Sequence, residues 1–309
     1  MELFFNCFTI LPRGGENKTK EAMKKFLLFF GALTISMCAI AGYQLSRGAD
    51  RGLISITYND SESEGEEVIV VTGEAQKKSE NRAVTPFHTI VTGTAIDVVY
   101  TAAPSYSMVV EADRRVLDNV KTEVRGGVLY ISYQGRVAIR STNQAVVHLT
   151  GRDLREVRAS SSSDVVLNMA KSGHLPEFKM DISSAAEVIF DHLYAQKVDI
   201  EIASAAAIKG EIRDAQEVNV DMSSASDISL SGTCHTLKID ASSSSDGDFK
   251  NLQAADAVVD ASSAAKVTVW VSESLTADAN SSADILYRGE EGVSVTADTS
   301  STGSVKRLK

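Results

Sequence analysis

The chain has 309 residues, of which 43% are hydrophobic, and a formal net charge of −10 at pH 7. That hydrophobic fraction can build a core and excludes a disordered chain, while the acidic balance excludes the basic patch that nucleic-acid binding requires. Aromatic residues make up 6%, so Val, Ile, Leu and Ala must fill the core, which suits thin, repetitive layers.

An apolar run near the N-terminus predicts export. It extends from Phe26 to Ala41, follows Lys24-Lys25, and ends in small residues. This pattern predicts a signal peptide over residues 1–41, with translation starting at Met23 and cleavage after Ala41. An uncleaved membrane anchor is an alternative, although the run is short for crossing a bilayer. A lipid anchor at Cys38 is another.

Removal of residues 1–41 changes both the charge and the cysteine content. It takes away five basic and three acidic residues, which leaves a net charge of −12. Cys234 is then the single remaining cysteine, so neither an intrachain disulfide nor a zinc site with paired cysteines can form.

Two segments precede the most regular part of the sequence. Residues 42–67 contain a run of acidic and polar residues, typical of a solvated linker. Residues 68–153 show alternating strands, and Gly126-Gly127 between two of them predicts a hairpin. This N-terminal β module is expected to continue into the region that follows.

Residues 154–309 contain eight copies of one motif at intervals of 18 to 23 residues. Each copy reads acid-x-Ser-Ser-small-small-polar-apolar with some variation, and the copies begin at Arg158, Asp181, Glu201, Asp221, Asp240, Asp260, Asp278 and Asp298. Apolar residues alternate around the acid, as Leu237, Ile239 and Ala241 do, which indicates a strand with one buried face. The repeat therefore predicts an all-β fold: a right-handed parallel β-helix, or solenoid, of about eight coils of roughly 20 residues.

The Ser-Ser-small-small segment is expected to form the corner between two strands of a coil. Serine is a good turn former, and its hydroxyl can bond backbone groups that a bend leaves unpaired. Stacked copies would align Ser223, Ser242 and Ser262, so we expect a ladder of hydroxyl groups along the solenoid.

Six further segments form a recognisable combination: Phe87–Ile90, Thr94–Val98, Tyr106–Glu111, Gly126–Ile131, Val146–Thr150 and Leu154–Ser160. Together they resemble the bacterial family of the putative auto-transporter adhesin, head GIN domain. The resemblance covers roughly residues 80 to 305 and implies an exported β-solenoid of the Bacteroidetes type with an adhesin-like role. Family repeats often carry Ser-Gly at the corner, where this chain has Ser-Ser or Ser-Ala. The resemblance brings no catalytic residue with it.

The repeat register predicts two columns of acidic side chains. The first, named the acidic column, is the candidate site for a ligand or cation and comprises Asp181, Glu201, Asp221, Asp240, Asp260, Asp278 and Asp298. The second column comprises Asp164, Glu187, Asp227, Asp246 and Asp284, with Ala207 and Lys266 interrupting it. Carboxylates about 4.8 Å apart repel one another, and solvation, nearby hydroxyl groups or hard cations such as Ca²⁺ can relieve the repulsion. No other cofactor is indicated.

These patterns favour a non-enzymatic protein of the periplasm, the outer-membrane surface or the secreted fraction that acts by adhesin-like surface contact. Its partner would be an envelope, host-surface or polysaccharide ligand, and it would meet a membrane only through an uncleaved signal or a lipid anchor. The alternatives are a polysaccharide-active β-helix enzyme that uses Asp clusters and a purely structural envelope protein. The histidines occupy no shared repeat position and suggest no catalytic triad.

Overall fold

The computed structural model describes residues 43–47, 53–60, 63–71, 76–139, 144–170 and 172–308. The predicted signal peptide, residues 1–41, lies outside these ranges. Strands dominate, and no helix in the described ranges is long and apolar enough to cross a membrane. The chain divides into two compact units.

The smaller unit is a four-stranded sheet with the order β1-β2-β3-β10. Its strands are β1 (Tyr43–Arg47), β2 (Leu53–Asp60), β3 (Ser63–Val71) and β10 (Arg136–Ile139). The first three are antiparallel, and β10 lies parallel to β3. Part of this sheet falls within residues 42–67, which the sequence predicted to be a linker. Ile54 and Ile56 alternate with polar residues ahead of the acidic run, and this alternation favours a strand. The domain boundaries stay a prediction.

The larger unit begins with strands that form and cap its first coil. They are β4 (Lys77–Arg82), β5 (Thr89–Thr92), β6 (Ile96–Ala102), β7 (Ser107–Asp113), β8 (Val120–Arg125), β9 (Val128–Tyr133) and β11 (Ala145–Gly151), with a 3₁₀ turn at Leu117–Asn119. The pair β8–β9 is the hairpin predicted at Gly126-Gly127, and both glycines have a positive φ. Strands β5 and β6 stack in parallel on the strands of the next coil.

The remaining strands form a parallel β-solenoid of about eight turns, as the repeat predicts. They are β12 (Glu156–Ala159), β13 (Asp164–Asn168), β14 (Leu175–Ile182), β15 (Glu187–Ile202), β16 (Ala207–Met222), β17 (Asp227–Ala241), β18 (Asp246–Ala261), β19 (Lys266–Ala279), β20 (Asp284–Gly289), β21 (Ser294–Thr299) and β22 (Ser304–Arg307). The register pairs each motif acid with the acid of the next coil, for example Asp240 with Asp260.

Each long strand crosses two faces of the solenoid and contains a bulge between them. Register shifts occur at these bulges, as between Phe249 and Gln253 in β18. The corners stay in register from coil to coil. The variation in repeat length is therefore absorbed at the bulged edge, and the motif residues remain stacked.

Inward and outward positions follow the predicted alternation. Leu237, Ile239 and Ala241 are buried, whereas Lys238 is 52% exposed. The core is a stack of such layers from Ile90 to Ile285, filled mainly by aliphatic side chains.

The corners are tight turns whose two central residues both have a positive φ. In the turn Ser223 to Ser226, Ser224 has φ 56° and Ala225 has φ 60°, and the Ser226 amide donates to the Ser223 carbonyl oxygen at 3.3 Å. A type I′ turn requires this conformation and normally takes Asn or Gly. Nine described corners have this conformation. Eight belong to the predicted repeats, and the ninth is Thr94-Ala95 in the N-terminal module.

Corners stack through the backbone and not through the predicted serine ladder. The amide of Ala225 donates to the carbonyl oxygen of Ser243 at 3.0 Å, and the pattern recurs along the stack. In the described part of the chain, the hydroxyl groups of Ser223, Ser242 and Ser262 form no hydrogen bonds with one another. The ladder prediction is wrong for these serines, because backbone groups make the recurring bonds between corners. A single hydroxyl contact between neighbouring corners, Ser282 to Thr302 at 2.7 Å, lies near the C-terminal end of the described residues.

Candidate functional site

The acidic column lies on the outward face of the strands that lead into the corners. Each carboxylate comes two residues before its turn, and the parallel register places it beside the corresponding acid of the next coil. The structure therefore brings the seven predicted residues into one line. Adjacent members are separated by the strand spacing of about 4.8 Å.

An open groove of about 570 Å³ runs along this face. Five members of the column line it, and Lys179, Asp199, Asn219 and Lys238 lie beside them. One exposed apolar side chain, Val258, is 47% accessible at the same groove. The groove is shallow and elongated along several coils, a shape that suits an extended contact.

Two further columns run parallel to the acidic column, two and four residues earlier in each strand, and their charges are paired. Lys197 contacts Asp199 at 2.8 Å and Glu177 at 3.6 Å. Lys238 contacts Glu217 at 3.2 Å. Asn219 bridges the network by donating to Asp199 and Glu217, each at 2.8 Å.

These pairings shift the pKa values of the acidic members of the network. Burial alone would raise the pKa of Asp199, but the hydrogen bonds from Lys197 and Asn219 outweigh it, so the pKa is lowered. Hydrogen bonds from Asn219 and Lys238 likewise lower the pKa of Glu217. The two columns therefore hold stable opposite charges at neutral pH.

The acidic column differs because its carboxylates have no such partners. In the described ranges, none of its seven members makes a salt bridge or a side-chain hydrogen bond. Burial, followed by the charges of Asp240 and Asp278, raises the pKa of Asp260. Arg158 lies beside Asp181 at one end of the column. From Glu201 onward, the column is a line of carboxylates without ion-pair partners beside a neutralised surface.

The negative charge of the second column is partly neutralised by lysine side chains. Lys266 contacts Asp246 at 3.3 Å, and Lys306 lies 3.9 Å from Asp284. Asp97 in the first coil of the larger unit extends this column by one position. Its carboxylate accepts a 3.1 Å hydrogen bond from the Asp164 amide. Burial is the main reason that the pKa of Asp97 is raised.

Neither column forms a compact metal centre. In the part of the chain that the structure describes, no group of three or more His, Cys, Asp or Glu side chains is arranged to hold a metal ion. A stack of parallel strands spreads its carboxylates along a line, whereas Ca²⁺ takes six to eight oxygen ligands around one point. Ca²⁺ binding stays a hypothesis for the acidic column.

Comparison with known proteins places the chain in a family. The family described as putative auto-transporter adhesin, head GIN domain matches residues 86–290. The chain belongs to this family. No curated protein matches the sequence.

Solved structures share the fold of this head GIN domain protein. A putative adhesin from Parabacteroides merdae is 16% identical with a TM-score of 0.72, over 78% of this chain and 99% of that one. A putative lipid binding protein from Parabacteroides distasonis is also 16% identical, with a TM-score of 0.68, over 78% of this chain and 100% of that one. A putative adhesin from Bacteroides fragilis is 14% identical with a TM-score of 0.58, over 76% and 98%.

The sequence alone did not identify the paired columns of this head GIN domain protein. A signal was present, because Glu177, Lys197 and Glu217 share one repeat position, and Lys179, Asp199 and Asn219 share another. The residue types at these positions alternate in charge and do not repeat, so a search for repeated residues passes over them.

Proposed function

We propose that this protein is an exported, non-enzymatic contact protein that binds an extended partner along its acidic column. The family and its fold support an adhesin-like surface protein. Solenoids commonly bind through long surfaces built from one residue position per repeat. The acidic column is such a surface, with one carboxylate in each of seven successive coils.

The observation that carries the proposal is the contrast between neighbouring columns. Lysine side chains neutralise Glu177, Asp199 and Glu217. The acidic-column carboxylates on the same strands, two or four residues further along the chain, form no ion pair. A fold selected only for stability would gain by neutralising the column as well, because like charges at this spacing repel. The unpaired charge is therefore a candidate for recognition.

The chemistry of the column indicates its partner. Seven carboxylates in a line attract a partner with repeated positive charge or repeated hydrogen-bond donors. A basic segment of an envelope or host-surface protein has the first property, and a polysaccharide has the second. Each contact on an exposed face contributes little, so affinity would come from many coils at once.

Export and the absence of catalysis are parts of the same proposal. The apolar run before Ala41 supports passage into the periplasm or beyond. The described grooves are open along the face, whereas an enzyme cleft encloses its substrate. The polysaccharide-active alternative has no support from the family.

A binding screen with two matched variants tests the proposal. Wild-type protein is applied to immobilised glycans and host-surface glycoproteins, together with the triple variant Asp221→Asn, Asp240→Asn, Asp260→Asn. The control triple variant, Asp227→Asn, Asp246→Asn, Asp284→Asn, removes the same charge from the second column. We expect the first variant to lose binding and the control to keep it. Equal loss in both, or no loss in the first, contradicts the proposal.

A further inference from the structure

A strip of outward-facing aliphatic side chains crosses the face of the solenoid that follows each corner. The strand register places its members side by side on β7, β11, β6, β13 and β15. We name it the aliphatic strip, and it comprises Val109, Val99, Val166 and Ile189, with His148 between the first two. At about 4.8 Å per strand, the five positions span about 19 Å. The strip ends at Lys209 in the next coil.

Two neighbouring members of the strip are exposed. Val166 is 37% and Ile189 is 41% accessible, and the register pairs these two residues directly. Val99 and Val109 are half-buried. The exposed Val258, in contrast, stands alone between polar residues of the adjoining coils. Single exposed apolar residues are common on soluble proteins, whereas contiguous ones indicate a contact surface.

The two borders of the strip differ in charge. On one border, two residues earlier in the strands, lie Asp97, Asp164 and Glu187 of the second column. In the described ranges, none of these three carboxylates forms an ion pair with a basic side chain. On the other border lie Thr101 and Asn168, whose uncharged side chains are joined by a 3.2 Å hydrogen bond. A complementary occupant is therefore apolar in the middle and basic along one edge.

The spacing of the strip favours a helical occupant. Successive turns of an α-helix present side chains on one face at intervals of about 5.4 Å, close to the distance of about 4.8 Å between strands. In an extended segment, the side chains of one face are about 6.7 Å apart, so they fall out of step with the strip after a few contacts. A helix of about 13 residues covers the length of the strip.

We propose that the aliphatic strip binds an amphipathic helix of a partner protein, with Lys or Arg along one edge of its apolar stripe. Apolar residues spaced by three and four in the helix pack over Val99, Val166 and Ile189. The basic residues beside them pair with Asp164 and Glu187. The contact is small relative to the ~800 Å² per partner of stable complexes, so the dissociation constant lies at about 10–100 µM. The strip and the acidic column lie on different faces, so the two proposals can fail independently.

Calorimetric titration of the protein with three synthetic peptides of about 15 residues tests this surface. The first peptide has leucines spaced by three and four residues along one face, lysines along one edge of that face, and alanine elsewhere. The second has the same composition with the leucines dispersed around the helix. The third has glutamate in place of lysine. We expect the first peptide to bind, and the other two to bind at least about ten-fold more weakly.

Matched variants locate the binding site. Val166→Lys and Ile189→Lys should each weaken binding of the first peptide by at least about ten-fold, because apolar contact is lost and like charges meet. Val258→Lys, which places the same side chain at a more exposed valine beside the acidic column, should leave binding unchanged. The double variant Asp164→Lys, Glu187→Lys should bind the glutamate peptide more tightly than the lysine peptide. Circular dichroism melts establish that each variant is folded.

Several results would overturn the proposal. They are equal binding of the dispersed-leucine peptide, full binding by Val166→Lys and Ile189→Lys, and an unchanged preference for lysine in the double variant. Loss of binding in Val258→Lys alone would place the peptide on the acidic column. A dimer of the wild-type protein in sedimentation velocity, or flotation with phosphatidylcholine vesicles, that Val166→Lys abolishes would assign the strip to a second copy or to lipid.

Discussion

The backbone amide of Ala225 donates a 3.0 Å hydrogen bond to the carbonyl oxygen of Ser243 in the next coil, and both residues have a positive φ. A left-handed conformation costs an L-residue about 1–2 kcal/mol. The stack of corners repeats this conformation at each level, and the hydrogen bonds between levels help to offset its cost. Serine and alanine predominate there because a β-branched side chain is strained against its own backbone at this φ, and Thr94 and Thr302 are the two β-branched exceptions.

The corner therefore predicts a graded response to substitution at one position. Ala225→Gly should change the free energy of unfolding by less than about 1 kcal/mol, since glycine removes the strain but gains freedom in the unfolded chain. Ala225→Val should destabilise by about 1–3 kcal/mol, because a β-branched residue is strongly disfavoured at this φ. Chemical denaturation measures both values. Equal stability of the valine and glycine variants would show that the corner is not left-handed.

The inward and outward assignment predicts a large difference between two similar substitutions. Ile239→Asp places a carboxylate in a buried layer and should destabilise by at least about 3 kcal/mol. Val258→Asp introduces the same side chain on the outward face one coil later and should change stability by no more than about 0.5 kcal/mol. Thermal melts of the two variants compare them. Similar losses would mean that the strand register is shifted by one residue.

Much of the fold could be predicted because the repeat has a fixed relation to the strands. The spacing of the motif acids predicted which residues pair between coils, as Asp240 with Asp260. The coil at Thr94-Ala95 was missed because its partner corner, Ser161-Ser162, follows only after inserted antiparallel strands. That separation is outside the period of the repeat, so periodicity could not detect it.

The position of the candidate site could be predicted from the sequence. The contrast between its unpaired carboxylates and the paired charges beside them could not. The register placed the acidic column in a line, yet whether a carboxylate is paired depends on side-chain geometry between coils. Lys197 could reach several acids, and the structure shows that it contacts Glu177 and Asp199. The hydroxyl ladder was predicted wrongly for a related reason, since the orientation of the turn decides which groups face the next coil.

A buried ion pair in the N-terminal part of the larger unit predicts loss of stability in acid. Asp113 accepts a 2.7 Å hydrogen bond from Nε of Arg115, and both side chains are 2% exposed. This contact is the main cause that lowers the pKa of Asp113 to about 2. Because the folded pKa is depressed, the stabilisation is present above the unfolded pKa near 4 and is lost as the pH falls towards 2.

Two substitutions distinguish the contribution of this ion pair to acid sensitivity from general acid unfolding. Asp113→Asn should destabilise by about 3 kcal/mol at pH 7 and should lose less additional stability than wild type between pH 4 and pH 2. Asp118→Asn, at an exposed position nearby, should behave as wild type. Urea denaturation at a series of pH values gives both results. A pH profile of Asp113→Asn parallel to that of wild type would contradict the role of the pair.

The acidic column predicts the opposite pH dependence at Asp260. Its folded pKa is raised by burial and by its neighbours Asp240 and Asp278, so its contribution favours folding at low pH and is lost as the pH rises through the folded pKa. Asp260→Asn should therefore raise the melting temperature at pH 7 and have little effect at pH 3. A variant that is less stable than wild type at pH 7 would show that the carboxylate has a stabilising partner.

Calcium provides a separate test of the column. If its carboxylates are solvated and spread along a line, millimolar Ca²⁺ should raise the melting temperature no more than sodium chloride at matched ionic strength. We expect this result for wild type and for the double variant Asp240→Asn, Asp260→Asn. A calcium-specific increase of several degrees in wild type, absent in the double variant, would instead assign the column to cation binding.

Carbodiimide labelling of carboxylates, measured by mass spectrometry, tests most directly whether the acidic column is the contact surface. The protein is labelled free and in complex with the ligand that binds most strongly in the screen. We predict that Asp221, Asp240 and Asp260 are protected in the complex, while Asp227 and Asp246 of the second column are labelled equally in both states. Unchanged labelling of the acidic column, or protection confined to the second column, would contradict the proposed contact.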